Sequence, residues 1–288
     1  MEPWVPDSRL DRVLAGRADV PAVAAWWADP TSRVFGVDDQ SFVTATDGEL
    51  RSERPRGGYV PERHLLVGLV DQAAWFVAEA SDLSGQGETA SLRELATGLD
   101  ETMADVVTTG VALVNWHRVA PHCGQCGAIT QVREGGHQRW CPVCERPRFP
   151  RTDPAVIVAV LDADDRLLLA HQRVWDTGRV SILAGFVEAG ESLEQAVHRE
   201  IAEESDLTLT SLAYVGSQPW PFPRSLMLGF VARAQGTEIT VDGEEIEWAR
   251  FFSREELAAA VAAGEVKLPA SVSIASRIIA EWRAGRLA

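Results

Sequence analysis

The sequence predicts an α/β (α+β) protein in three parts: an N-terminal α+β domain over residues 1–118, a four-cysteine ribbon over 119–151 and an α/β domain over 152–288. Three observations predict this. All four cysteines fall in one short stretch, at Cys123, Cys126, Cys141 and Cys144. Strand-like and helix-like patterns mix on both sides of that stretch. At 288 residues the chain is long enough for two cores. Its 46% hydrophobic and 24% charged residues are ordinary for a soluble globular protein. The net charge of −15 argues against a protein that mainly coats nucleic acid or anionic membrane, though it leaves room for a local basic site. No run approaches the roughly 18 apolar residues of a membrane span. The opening MEPWVPDSRLDRVLAG is acidic and broken by proline, unlike a secretion signal. A cytoplasmic protein with no membrane partner is expected.

In chain order, residues 64–70 (HLLVGLV) predict a buried strand and residues 81–87 (SDLSGQG) a loop. Residues 91–117 predict one long helix, because Leu92, Leu95, Leu99, Met103, Val106 and Val107 recur at amphipathic spacing. No catalytic constellation stands out before the cysteines, so a packing or dimerisation role is expected there. Beyond them, the apolar β-branched run 155–161 and the run 166–170, joined by a turn at 162–165, predict a hairpin. A helix over 192–205, strands around 212–215 and 226–232, and helices over 253–263 and 273–283 follow.

The cysteines are spaced C-x2-C-x14-C-x2-C, two knuckles that present four thiolates to one tetrahedral ion. Zn²⁺ accepts four sulfurs in such closed structural sites. The spacer is slightly shorter than the roughly 15–20 residues usual for such quartets. Disulfides are disfavoured without a secretion signal, and a redox pair needs no second copy. Residues 119–151 also carry five Arg against two acidic residues. These arginines suit a nucleic-acid or nucleotide phosphate contact, or they balance a zinc–thiolate site of net charge −2; the second reading is favoured.

In GFVEAGESLEQAVHREIAEESDL, residues 185–207, Ser192 and Gln195 form a capping box that sets the helix start. Glu200, Glu203 and Glu204 then share one patch, at i, i+3 and i+4. Like charges at that spacing cost roughly 0.2–0.5 kcal/mol per pair, and the macrodipole disfavours anions near a helix C-terminus. A divalent cation, Mg²⁺ or Mn²⁺, makes sense of the cluster. The plainer alternative is a solvated acidic face.

Gly185, Glu191, Arg199, Glu200, Ile201, Glu203, Glu204 and Leu207 also fill G-x5-E-x7-R-E-U-x-E-E-x-G-U, in which U is a bulky aliphatic. The segment thereby resembles the signature of the Nudix hydrolases, with Asp206 in place of the family glycine. That position follows the helix and is expected to need a left-handed conformation, which Asp tolerates better than most residues. The resemblance implies a Nudix α/β/α sandwich, divalent cations on Glu200, Glu203 and Glu204, a supporting pair Glu191 and Arg199, and hydrolysis of a nucleoside diphosphate linked to a group X.

A second segment, Ser217-Gln218-Pro219-Trp220-Pro221-Phe222-Pro223-Arg224-Ser225, has three alternating prolines, which exclude a central strand and predict a stiff extended loop. Its Trp220 and Phe222 offer faces for a ring, or else plug the core. SQPWPFP after a Nudix signature, a four-cysteine ribbon before it, and the ending KLPASVSIASRII together resemble the NADH pyrophosphatase subfamily. The resemblance is close over about residues 117–285.

It implies cleavage of NADH or NAD⁺ to NMN(H) and AMP, with Glu245 as a fourth catalytic, cation-binding glutamate, although Glu244 and Glu247 lie close by. One glutamate not fully engaged with the cation takes the proton of the attacking water. Phe149, Phe186, Gln218, Trp220, Phe222 and Ser225 are the implied substrate contacts, with Arg224 a weaker candidate. A homodimer is implied as well, and so is an extension to NAD caps on RNA 5′ ends. The alternatives are a pyrophosphatase for ADP-ribose or other dinucleotides, and a non-enzymatic zinc-ribbon RNA-binding adaptor.

Overall fold

The computed structural model describes residues 4–84, 87–95 and 97–287. These form two compact units, one of residues 6–151 with 221–224, the other of 152–220 and 225–287 with Trp4 and Val5.

The first unit holds β1 (Arg33–Val37), β2 (Val43–Thr46), β3 (Glu49–Leu50), β4 (Leu65–Val70), β5 (Ala73–Glu79) and β6 (Glu88–Ala90). They make one sheet in the order β3-β2-β1-β5-β4, with β6 on β2. Helix α1 (Val20–Ala28) begins at an Asp19 cap. Of the loop expected at 81–87, Gly85 and Gln86 lie outside the described residues, as do Ala96 and residues 1–3.

The single helix expected over 91–117 is instead two: α2 (Leu92–Leu95) and α3 (Glu101–Val119). Asp100 restarts the helix by accepting from the Met103 amide at 2.7 Å. Leu92 and Leu95 still enter the same core as Val106 and Val107. The apolar spacing therefore ran through the break without marking it; the signal was Gly98 followed by an Asp cap.

Strands β7 (Gln131–Arg133), β8 (Gln138–Cys141) and β9 (Arg146–Arg148) form the antiparallel ribbon. The ribbon belongs to the first unit's core, since Val132 packs among that core's valines and leucines and His137 Nε2 bonds the Leu66 carbonyl at 2.8 Å.

The second unit contains β10 (Asp153–Leu161), β11 (Leu167–Gln172), β12 (Leu183–Phe186), α4 (Leu193–Ser205), β13 (Leu209–Trp220), β14 (Ser225–Ala234), β15 (Ile246–Phe252), α5 (Arg254–Ala262) and α6 (Ile274–Arg283). The sheet runs β13-β14-β10-β11-β15, with β12 on β10. β10 is parallel to β14 and antiparallel to β11 and β12. Val156, Val158 and Val160 pack with Ala196, Val197 and Ile201 of α4. Ile157, Ala159 and Leu161 pack with Leu257, Ile278 and Trp282 of α5 and α6. Burial on both faces explains why β10 reads as an unbroken apolar run. Ser192, Ser253 and Ser273 cap the three helices, the first two as full capping boxes.

The loop expected over 217–225 is in part a strand. Ser217–Trp220 complete β13, Pro219 lies opposite Leu226, and only 221–224 form the connecting turn. β13 is an edge strand, where a proline without an N–H breaks no ladder on its outer side. No described helix is long and apolar enough to cross a membrane.

Candidate active site

The capping box at Ser192 sets the phase of α4, so that Glu200, Glu203 and Glu204 lie along its last two turns. Burial decreases outward across the three. Glu204 is 5% exposed, and its Oε2 has no hydrogen-bond partner. Burial, then the charges of Glu245 and Glu200, push its carboxyl up to about 8. Glu200 is also raised, first by burial, while Arg199 opposes the shift. The Glu203 side chain is 62% exposed. Glu204 borders a cavity of about 80 Å³ lined also by Gln172, Trp175, Ser181 and Ala184.

Glu245, just before β15, is a carboxylate whose charge, like that of Glu203, acts on both Glu200 and Glu204. Of its neighbours, Glu247 faces His171 at 3.7 Å. Two residues missed in the sequence support Glu245. Gln172 Nε2 donates to its Oε1 at 2.8 Å, and its backbone N–H donates to Asp242 at 3.1 Å. Gln172 lies 73 residues away, brought in by β11–β15 pairing, and no spacing pattern announces it.

Arg199 braces the loop preceding α4. Its Nε and Nη2 hold Glu191 bidentately at 2.8 Å, and Nη2 also donates to the Phe186 carbonyl at 2.8 Å. Its Nη1 donates to Glu200 at 2.8 Å and to Glu203 at 3.1 Å. Gly185 leaves room for Glu200: a Cβ there would stand 1.9 Å from the Glu200 Cδ. Asp206 takes φ 57 and ψ 22, the left-handed cap expected where the family has glycine.

The implied substrate residues are placed as follows. Phe149 is 59% exposed and Phe186 56%, unusual for large aromatics. Gln218 spends both ends of its amide on main chain, donating to Val272 and accepting from Ile274, each at 2.7 Å. Trp220 ends β13 and lies opposite the buried Ser225, which begins β14. Phe222 packs against the first unit's core, and the Pro221 carbonyl accepts from Asn115 at 3.4 Å. Arg224 is exposed.

The sulfurs of Cys123, Cys126, Cys141 and Cys144 all lie within 4.8 Å of one another. The Cys126–Cys141 and Cys123–Cys144 separations are 3.5 and 3.9 Å, close to the roughly 3.8 Å edge of a tetrahedron with 2.3 Å Zn–S bonds. The Gln125 amide, then other donors including Arg148, pull the Cys123 thiol down to about 6. This is the only such group of ligand atoms among the described residues. The glutamates stand further apart, as suits an ion that keeps some of its waters.

A family profile described as NUDIX domain matches residues 151–271. The NAD-capped RNA hydrolase NudC of Mycobacterium tuberculosis is 39% identical over 293 residues, spanning 96% of this chain and 92% of that one. This chain belongs to the NudC, or NADH pyrophosphatase, subfamily of Nudix hydrolases. The human NAD-capped RNA hydrolase NUDT12 is 39% identical over 196 residues, 64% of this chain and 42% of its own. A solved Nudix hydrolase from Nitrosomonas europaea overlays 57% of this chain and 93% of its own, with 18% identity and a TM-score of 0.43. Within this Nudix enzyme, residues 185–207 form the signature's loop and helix.

Proposed function

We propose that this Nudix hydrolase cleaves the pyrophosphate bond of NADH and NAD⁺ to give NMN(H) and AMP, and that it removes the same NMN moiety from NAD-capped RNA. The observation that carries the reading is Glu204. A carboxylate 5% exposed, with one oxygen unpartnered and Glu200 and Glu245 beside it, is an arrangement that a divalent cation satisfies. Glu200, Glu203, Glu204 and Glu245 are the residues to hold Mg²⁺ or Mn²⁺. When bound, such cations screen the two phosphates and lower the pKa of water.

The chain's own residues do the rest. Arg199 and Glu191 fix the loop between the end of β12, where Gly185 and Phe186 lie, and α4, so the glutamates meet the substrate from a rigid element. Phe186 and Phe149 each present an exposed ring to stack on a heterocycle. Trp220 and Ser225, opposite each other on β13 and β14, are further candidate contacts, and Gln218 takes part by holding β13 to the start of α6. The names of the 39% identical relatives support NAD as the substrate and capped RNA as its larger form. Zn²⁺ on the four cysteines is structural in this reading, because four thiolates leave no open coordination position. A cytoplasmic homodimer is part of the same reading.

Side-by-side hydrolysis of NADH, NAD⁺ and ADP-ribose, with Mg²⁺ or Mn²⁺ and with EDTA, tests it by following AMP and NMN(H). Cation-dependent release of AMP and NMN(H), with NADH or NAD⁺ preferred, is the expected outcome. Preference for ADP-ribose would refute the substrate assignment.

A further inference from the structure

The five arginines of residues 119–151 divide into two groups. Arg139 and Arg148 turn inward. Arg139 is 8% exposed; it donates to Thr130 Oγ1 at 2.7 Å, to the Thr130 carbonyl at 2.9 Å and to His117 Nδ1 at 2.7 Å. Its acceptor is a neutral imidazole, because burial pulls His117 down to about 4 and His117 Nε2 donates to the Gly136 carbonyl. Arg148 donates to Cys123 Sγ at 2.8 Å. Bracing the ribbon and balancing its thiolates accounts for these two. It leaves Arg133, Arg146 and Arg151, all exposed.

Strand register shows what Arg133 does. Gln131 lies opposite Trp140, Trp140 opposite Pro147, and Arg133 opposite Gln138. With side chains alternating along each strand, these five share one face of the ribbon, while Val132, Arg139 and Cys141 are buried on the other. The Arg133 guanidinium lies 4.5 Å from the centre of the Trp140 ring, a diagonal cross-strand stack. Arg146, opposite Cys141, belongs to the other face, and Arg151 follows the end of β9.

We propose that this face of the ribbon binds single-stranded RNA, an inference that rests on the capped-RNA reading above. A guanidinium stacked over a half-buried tryptophan offers a platform on which any base can stack. Gln131 and Gln138 flank it with amides able to pair with base edges, and the Arg133 charge attracts the phosphates. In a chain of net charge −15, most of the surface repels a polyanion, which confines RNA to such a positive segment.

The test uses the full-length, zinc-loaded protein and an uncapped, unstructured, fluorescently labelled RNA of about a dozen nucleotides. Binding is read by anisotropy at several salt concentrations, with NADH turnover, zinc content and sedimentation in parallel. Trp140→Ala is expected to weaken RNA binding about tenfold, and Trp140→Phe to recover most of the loss. Arg133→Gln should weaken binding severalfold and flatten the salt dependence. NADH turnover should stay unchanged in all three. Should Trp140→Ala fail to fold, Arg133→Gln and Trp140→Phe decide the matter.

RNA binding equal to wild type in Trp140→Ala or Arg133→Gln, or no binding by the wild type at low salt, overturns the proposal. A shift in oligomeric state on replacing Trp140 also overturns it, by making the face a contact between copies. NADH hydrolysis without RNA binding defeats this inference alone. RNA binding without hydrolysis of NADH or capped RNA defeats the functional reading and leaves the surface standing.

Discussion

Gly185→Ala separates stability from chemistry in this enzyme. The new Cβ would lie 1.9 Å from Glu200 Cδ and 2.0 and 2.1 Å from its two oxygens. Ordinary contact needs about 3.5–4.0 Å, so the carboxylate must retreat by roughly 1.5–2 Å. Glu200 Cδ is the far end of a flexible side chain, and Gly185 sits in β12 opposite Val156, so alanine fits the backbone. The cost to folding is then mainly the 2.8 Å bond from Arg199 to Glu200, on the order of 1 kcal/mol. The cost to catalysis is far larger, since a displacement of about 1 Å already costs roughly 10²-fold in rate. The variant should melt within a few degrees of wild type yet lose about 10²-fold or more in kcat/KM for NADH, and it should need more Mn²⁺ or Mg²⁺ for half-maximal rate. Calorimetry and a cation titration of NADH turnover check this together. Activity within a few-fold of wild type would refute the role given to Glu200. A large fall in melting temperature would show that the space serves packing and not the position of the carboxylate.

Glu204→Gln should abolish most turnover while leaving the fold intact, and near-normal turnover would reject its role. It should also change how stability depends on pH in EDTA. Glu204 titrates near 8 when folded, against 4.5 for the free group, because of burial first and its carboxylate neighbours second. The folded state therefore holds a proton that the unfolded chain has lost, and its contribution, full below about pH 4.5, declines as pH rises toward 8. The glutamine variant should lack that decline, and added Mn²⁺ should restore the wild type at high pH; denaturant melts at several pH values read both. Gln172→Ala, by freeing Glu245, should weaken cation affinity about 10-fold or more with a smaller effect on kcat at saturation, measured by Mn²⁺ binding. Cys123→Ser should lose Zn²⁺, seen by metal analysis, and destabilise the first unit by several kcal/mol, while the folded fraction keeps its NADH kcat.

The features most legible in the sequence were local ones. The capping box at Ser192, the phase of Glu200, Glu203 and Glu204, the left-handed Asp206 and the two cysteine knuckles all depend on residues within a few positions of one another. The double-sided burial of β10 could be read from its unbroken apolar run. Where the reading failed, two signals overlapped. Apolar spacing continued across the gap between α2 and α3 because both face one core, and the prolines of 217–223 masked a strand that an edge position permits.

The sequence by itself thus determined the family, the glutamates of α4 and the ribbon's four sulfurs, because helix periodicity and tight turns place nearby residues without help from the rest of the chain. Only the tertiary structure showed that the charge of Glu245, which the family resemblance had named, acts on Glu200 and Glu204, that Gln172 holds it, and that the ribbon's arginines divide into inward braces and an outward stack. Those facts arise from strand pairing and register, which join residues as distant as Gln172 and Glu245. A one-residue change of register turns a side chain from one face to the other, and no local pattern encodes it.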